Sequence, residues 1–314
     1  MIATIIGALL PIVITLILGF VAGWHHDFDG KQATILNRMV MLYALPLSLF
    51  AGMVGTARDE VLSQGTLALA IFVGMAGAYA VVFLVCRYIF RRDIMTASLQ
   101  SLAIAGPAVP FVGVSVLGHL FGTASAIPIS VASLVMNLIQ VPVTLMLLSA
   151  GRTQASQSDP ADAPTFVGHV LHALREPVVW APLVGLVLVI LNLHFPPAVQ
   201  DSLMLLGRAT GGVALFASGI VLYSRRVTLS PAVGLSVVAR NILIPAVIWG
   251  LMLLLGTGAE MTREVVLTLA IPTASIAVIL AVQYQTAEQE MASTLFFSTI
   301  LSVITMGAFI WLTA

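Results

Sequence analysis

Residues 94–120 form an apolar run long enough to cross a bilayer, yet its centre, Ala105-Gly106-Pro107-Ala108-Val109-Pro110, cannot be a continuous helix. Each proline removes an amide donor and clashes with the carbonyl one turn back, and Gly106 loosens the backbone further. Lipid cannot satisfy the groups that such a break releases. The break must therefore lie inside protein or beside a water-filled cavity. A second interruption, Ala270-Ile271-Pro272-Thr273-Ala274-Ser275, comes 165 residues later in another apolar run. Two interrupted spans at corresponding places in two halves are the best sequence pointer to a carrier's binding site. The expected molecule is an all-α polytopic membrane protein organised around the meeting of two broken helices.

The rest of the chain fits that frame. Of its 314 residues 60% are hydrophobic and 8% charged, against about 25% charged in a soluble domain. Spans need about 20 mostly apolar residues. Ten such runs are present, at 3–24, 33–55, 64–89, 94–120, 125–148, 174–194, 199–223, 232–256, 263–284 and 290–313. The expectation is ten transmembrane helices in a 5+5 inverted repeat, with the fourth and ninth broken and crossing at mid-membrane. The N-terminal repeat is 1–150, a polar linker is 151–172 and the C-terminal repeat is 173–314. The first apolar run reads as a membrane span rather than a removed signal peptide. A net charge of zero offers no basic surface to nucleic acid, and a single cysteine, Cys86, excludes an internal disulfide.

Charge sets the orientation. Lys31, Arg38, Arg87, Arg91, Arg92, Arg152, Arg175, Arg225 and Arg226 border odd-numbered loops, while the even loops hold only Arg58 and Arg263, each beside acids. The positive-inside rule puts the odd loops and the central linker in the cytoplasm and both termini outside an inner membrane.

Several polar residues lie within the runs. At the first break, Val109 to Gly113 begins a second half-helix, whose amino end carries free amides and partial positive charge suited to an anion; the alternative is a packed kink. At the second, Thr273 and Ser275 either meet a ligand or satisfy carbonyls freed by Pro272. Asn137 and Gln140 share one helix face and serve either a ligand or interhelical hydrogen bonds. Arg240, beside Asn241, either pairs with a carboxylate or snorkels to the cytoplasmic headgroups. Asn37-Arg38 reads as a cytoplasmic anchor, and Gly19 with Gly23 as a close helix contact. The candidate substrate-binding set is Gly106, Pro107, Val109, Pro110, Asn137, Gln140, Arg240, Asn241, Pro272, Thr273 and Ser275.

The thirteen acidic residues all map to loops or span edges. No mid-membrane carboxylate stands ready as a proton relay, although sodium held by backbone carbonyls at the breaks needs no acid. No cofactor is expected. An intramembrane enzyme would need paired acids, a metal set or a nucleophile with its base, and a channel would need repeated polar rings. Neither pattern is present within the runs.

The Pro-broken fourth and ninth spans, Gly106-Pro107-Ala108-Val109-Pro110, Asn137 with Gln140, Ala214-Leu215-Phe216-Ala217-Ser218-Gly219 and Arg240-Asn241-Ile242-Leu243-Ile244-Pro245 together resemble the auxin efflux carrier family. The likeness runs the length of the chain, and is nearest to short bacterial members described as malonate transporters. It implies a scaffold (1–60 and 173–226) and a transport domain (61–150 and 227–314) that slides against it like an elevator. It also implies a carboxylate bound near the crossing by Asn137, Gln140 and the Pro107–Pro110 backbone, and a homodimer through the scaffold. The chain departs from plant relatives in its short linker and in lacking an acidic residue between Gly65 and Phe90. The resulting expectation is a secondary carrier of a small carboxylate, best the dicarboxylate malonate. The runner-up is a carrier or exporter of a monocarboxylate or auxin-like organic acid, coupled to sodium, to protons or to membrane potential alone.

Overall fold

A computed structural model describes residues 2–55, 58–59, 65–155, 175, 177–193, 195–225 and 227–313. They fold into helices; among them the one β-type pairing is an isolated bridge between Pro107 and Thr273. Among the described residues, six stretches are long and apolar enough to cross a membrane: Gly30–Gly52, Gly65–Ile89, Ile127–Arg152, Pro197–Val221, Pro231–Leu254 and Glu288–Leu312.

The first group of helices is α1 (Ile2–Trp24), α2 (Gly30–Met39), α3 (Leu45–Val54), α9 (Pro177–Ile190), α10 (Pro197–Gly207) and α11 (Ala209–Arg225). α2 starts on a capping box, in which Gln32 N–H donates to the Asp29 carboxylate and Asp29 N–H to the Gln32 side chain, both at 2.8 Å. α1 lies along α11 with backbone touching backbone. A Cβ on Gly19 would stand 2.0 Å from the Phe216 carbonyl oxygen, and one on Gly219 would stand 2.2 Å from that of Leu16. α10 meets α3 as tightly, with a Cβ on Gly207 falling 2.9 Å from Ser48 Cα. Small residues permit this approach, which in lipid takes the place of a hydrophobic driving force. The opposite side of α1 exposes Leu10, Ile14, Ile17 and Leu18.

The second group is α4 (Gly65–Leu84), α5 (Ile94–Ala105), α6 (Val114–Phe121), α7 (Ala126–Val135), α8 (Val141–Ala155), α12 (Pro231–Val238), α13 (Ile244–Leu254), α14 (Ala259–Leu269), α15 (Ile276–Tyr284) and α16 (Glu288–Leu312). Asp93 caps α5 by accepting the Thr96 amide at 2.9 Å. Glu290 at the start of α16 accepts from Gln100 and, at 3.4 Å, from Arg92, which ties α16 to α5. α5 is buried from Thr96 to Ala105, and α15 from Ile276 to Ala281. Both interruptions are thus wrapped in protein, as the cost of unpaired backbone in lipid demands.

Three one-turn π-helices each stand just before a proline. Val40–Ala44 precedes Pro46, Met136–Gln140 precedes Pro142 and Ala239–Leu243 precedes Pro245. A proline clashes with the carbonyl one turn back, and widening the preceding turn relieves that clash. The five-residue turn also re-aims its side chains. Asn137 with Gln140, and Arg240 with Asn241, are turned inward and buried.

The segment 151–172, expected as a polar linker, begins inside α8. α8 continues to Ala155 because Gly151 packs on Ile94 and Met95, and Arg152 stacks over the Tyr284 ring at 5.3 Å. The remainder of that segment lies outside the described residues.

Candidate functional site

The two interruptions meet and pair through their main chains. Ala108 N–H donates to the Pro272 carbonyl at 2.9 Å, and Ala274 N–H donates to that of Gly106 at 3.0 Å. Side chains from the facing break and from other helices take several of the remaining freed carbonyls. Thr273 Oγ1 donates to Ala103 O at 3.0 Å, Gln140 Nε2 donates to Ala105 O at 3.1 Å and Arg240 donates to Ile104 O at 3.2 Å. The other arm of Arg240 donates to Ile271 O beyond the end of α14. Gln140 Nε2 also reaches Met75 O on α4 at 3.0 Å. A buried carbonyl left unpaired costs about 1–3 kcal/mol, so these side chains hold the crossing together.

Arg240 resolves the choice posed by its sequence position. It is 0% exposed, so it does not run to the headgroups. Its guanidinium bridges backbone oxygens near the carboxyl ends of α5 and α14, where the helix dipole is negative. Among the described residues no carboxylate comes within ion-pair distance of it, and Nε has no partner. Asn241 works from the same π-turn. Its amide donates to Ser298 O at 2.7 Å and its oxygen accepts from Ser298 Oγ at 2.6 Å, while Ser298 Oγ accepts the Thr273 amide at 3.1 Å. Arg208, exposed and 3.8 Å from Asp201, takes no part.

On the other side of the crossing is a cavity of about 20 Å3. Ala108 comes from the first break, Ala274, Ser275, Ile276 and Ile279 from the second and α15, and Met136 and Asn137 from the π-turn before Pro142. Val40 and Leu45 of the second span, with Thr210 and Ala214 of α11, form the facing wall. The cavity therefore lies between the two helix groups. Among the described residues no backbone carbonyl accepts the Ser275 or Ile276 amide at the amino end of α15. Asn137 donates one N–H to Ser133 O at 2.6 Å, which leaves its second N–H and its oxygen for other partners.

The candidate set thus divides by place. Asn137 and Ser275 line the cavity. Gly106, Pro107, Pro272 and Thr273 form the crossing, with Val109 buried just after it. Gln140, Arg240 and Asn241 brace the crossing from other helices. Pro110 lies in the turn Val109–Gly113, and its side chain is outside the described residues. Sequence reasoning missed Thr210, Ser298 and Asn37. Asn37, read as an anchor, is only 4% exposed, because α2 is packed against α11 and α15 by this point. Ser298 had a visible signal in the stripe Thr294, Ser298, Ser302 and Thr305, one buried face of a largely apolar helix. Among the described residues no group of three His, Cys, Asp or Glu side chains is placed to hold a metal ion.

A helical membrane protein with a polar crossing of broken helices beside an inter-helix cavity belongs to the class of membrane transporters. A profile of the family described as "Membrane transport protein" matches residues 4–310, and the chain belongs to that family, the auxin efflux carriers. It is similar to the "Uncharacterized transporter YfdV" of Escherichia coli (strain K12), 28% identical over 319 residues that cover 99% of this chain and 98% of that one. It is also similar to a Rhizobium meliloti (strain 1021) protein named "Putative malonate transporter", 25% identical over 313 residues, 99% of this chain and 96% of that one.

Proposed function

We propose that this chain is a secondary carrier of a small carboxylate, with malonate the leading substrate, acting across an inner membrane by alternating access. The observation that carries the reading is the junction of the two broken segments, where the amino end of α15 opens with Asn137 onto a cavity between the helix groups. Free amides at a helix amino end suit an anion. Arg240 adds a positive charge behind the crossing with no carboxylate beside it among the described residues. Arg240, Gln140 and Asn241 are then positioning residues, and Asn137, Ser275 and the Ala108–Val109 backbone meet substrate. The name of the Rhizobium relative supports malonate.

In this reading the chain has ten spans in a 5+5 inverted repeat, with α5 and α6 forming the broken fourth span and α14 and α15 the broken ninth. The first helix group is the scaffold, and the second is the transport domain. A cavity of about 20 Å3 has room for roughly one water, far below the roughly 300 Å3 and upward of ordinary ligand pockets. Loading malonate therefore requires the two groups to part or slide, the motion of an elevator. The arginine distribution supports termini outside and the linker inside, and the scaffold offers a homodimer surface. Sodium or protons are the candidate coupling ions.

The second reading, a carrier of a monocarboxylate or auxin-like acid, is favoured by the apolar portion of the cavity wall: Val40, Leu45, Met136, Ile276 and Ile279. Purified protein in liposomes preloaded with unlabelled malonate is expected to accumulate labelled malonate transiently by counterflow. Absence of counterflow with malonate and with short monocarboxylates alike overturns the carrier reading.

A further inference from the structure

Two side chains facing the second helix group are buried with nothing to bond. Thr210 on α11 is 1% exposed, lines the cavity, and its hydroxyl has no partner among the described residues. Asn37 on α2 is 4% exposed, and neither its amide nitrogen nor its oxygen has one. It lies three residues before the cavity-lining Val40, a spacing that puts both on one helix face.

The Thr210 orphan stands out against its own helix. Helical hydroxyls routinely bond the carbonyl one turn back, and Ser218 on α11 does so to Ala214 at 2.7 Å. Thr144 and Thr299 do the same at 2.6 and 2.8 Å. The irregular step at Arg208, between α10 and α11, lies two residues before Thr210 and sets this hydroxyl apart from that default. Leaving three polar atoms dry and unpaired is destabilising, and such groups in a native fold call for a ligand or a functional reason.

We propose that Thr210, on the scaffold wall of the cavity, and Asn37, on the helix that brings Val40 to that wall, are specificity-determining residues, and that they hold the second polar end of a short dicarboxylate. This rests on the carboxylate-carrier reading. One carboxylate lies at the amino end of α15 with Asn137, on the transport side. The other reaches across the cleft to the Thr210 hydroxyl and the Asn37 amide. A monocarboxylate with an apolar tail gains nothing from this wall and leaves the Thr210 hydroxyl and the Asn37 N–H groups without an acceptor, so the carrier prefers the diacid.

The test uses full-length protein with the near-isosteric changes Thr210→Val and Asn37→Leu, and with Thr210→Ser as the conservative control. Labelled malonate and labelled butyrate uptake are measured in liposomes alongside thermal unfolding in detergent. The ratio of malonate to butyrate uptake is expected to fall at least tenfold in Thr210→Val and Asn37→Leu, and to stay within about threefold of wild type in Thr210→Ser. Without substrate the two apolar variants should unfold at the same temperature or higher, because each removes an unpaired polar group, and the stabilisation that malonate confers should shrink. Equal loss of both substrates, an unchanged ratio, or a clear drop in the substrate-free unfolding temperature overturns the assignment while leaving the carrier intact. If wild-type protein transports neither acid, the carrier reading and this assignment fall together.

Discussion

Arg240 joins two carbonyls that no local pattern connects, since its partners lie 136 and 31 positions away. The sequence revealed a cation in an apolar run but left open whether it was buried or ran to the headgroups, and nothing in it said which oxygens would receive the charge. That is a property of how α5, the second break and α12 come together. The prolines were different, because a missing N–H acts wherever the chain goes, and both breaks were legible from them. Asn37 misled because Lys31 and Arg38 beside it suggested a wet helix end. A bridging guanidinium has a testable signature. Arg240→Gln should lower stability by about 2–3 kcal/mol, the scale of a hydrogen bond made by a charged group. Arg240→Lys, with one compact ammonium in place of a planar fork, should recover part of that loss. Thermal unfolding with and without malonate measures both, and a wild-type profile for Arg240→Gln would show that the bridge carries no weight.

At the scale of elements, the recurring device is the widened turn before a proline. It could have been anticipated at Pro46, Pro142 and Pro245 from the clash each creates, but the direction in which the turn aims its side chains could not. Hydropathy led to an expectation of ten spans, of which six stand out by length and composition among the described residues, whereas the close contact of α1 with α11 needed only Gly19 and Gly23 to be suspected and needed the structure to be placed. The opposing partner, Gly219, is 200 residues further on. Gly219→Val puts branched carbon atoms where the Leu16 carbonyl already stands. It should cost more than the roughly 1–3 kcal/mol of ordinary overpacking, because the obstacle is backbone. The expected result is loss of the monodisperse peak on size exclusion, while Gly212→Ala, with open space around its Cβ position, should elute as wild type. Monodisperse Gly219→Val would mean that the two helices can separate without harm.

On the scale of the whole molecule, the cavity is bounded by both helix groups, so transport by relative motion requires Ala214 on α11 and Ile279 on α15 to change neighbours. The chain's single cysteine makes this accessible. In a Cys86→Ser background, Ala214→Cys with Ile279→Cys, joined by a short bifunctional thiol reagent that reductant can cleave, should lose uptake and regain it on reduction. Each single-cysteine variant should be indifferent to the reagent. Full uptake by the joined protein would rule out sliding between these groups.

The junction itself is built from main-chain atoms: Ala108 to Pro272 and Ala274 to Gly106. Amide and carbonyl groups are supplied by nearly any amino acid. Gly106 is pinned by its size, since a Cβ there would stand 2.5 Å from the Leu102 carbonyl oxygen, and Pro272 by the break it makes. In the carrier reading the junction can keep its bonds through changes at Ala108 and Ala274 while the groups on the walls of the cleft are rewritten to admit a different cargo.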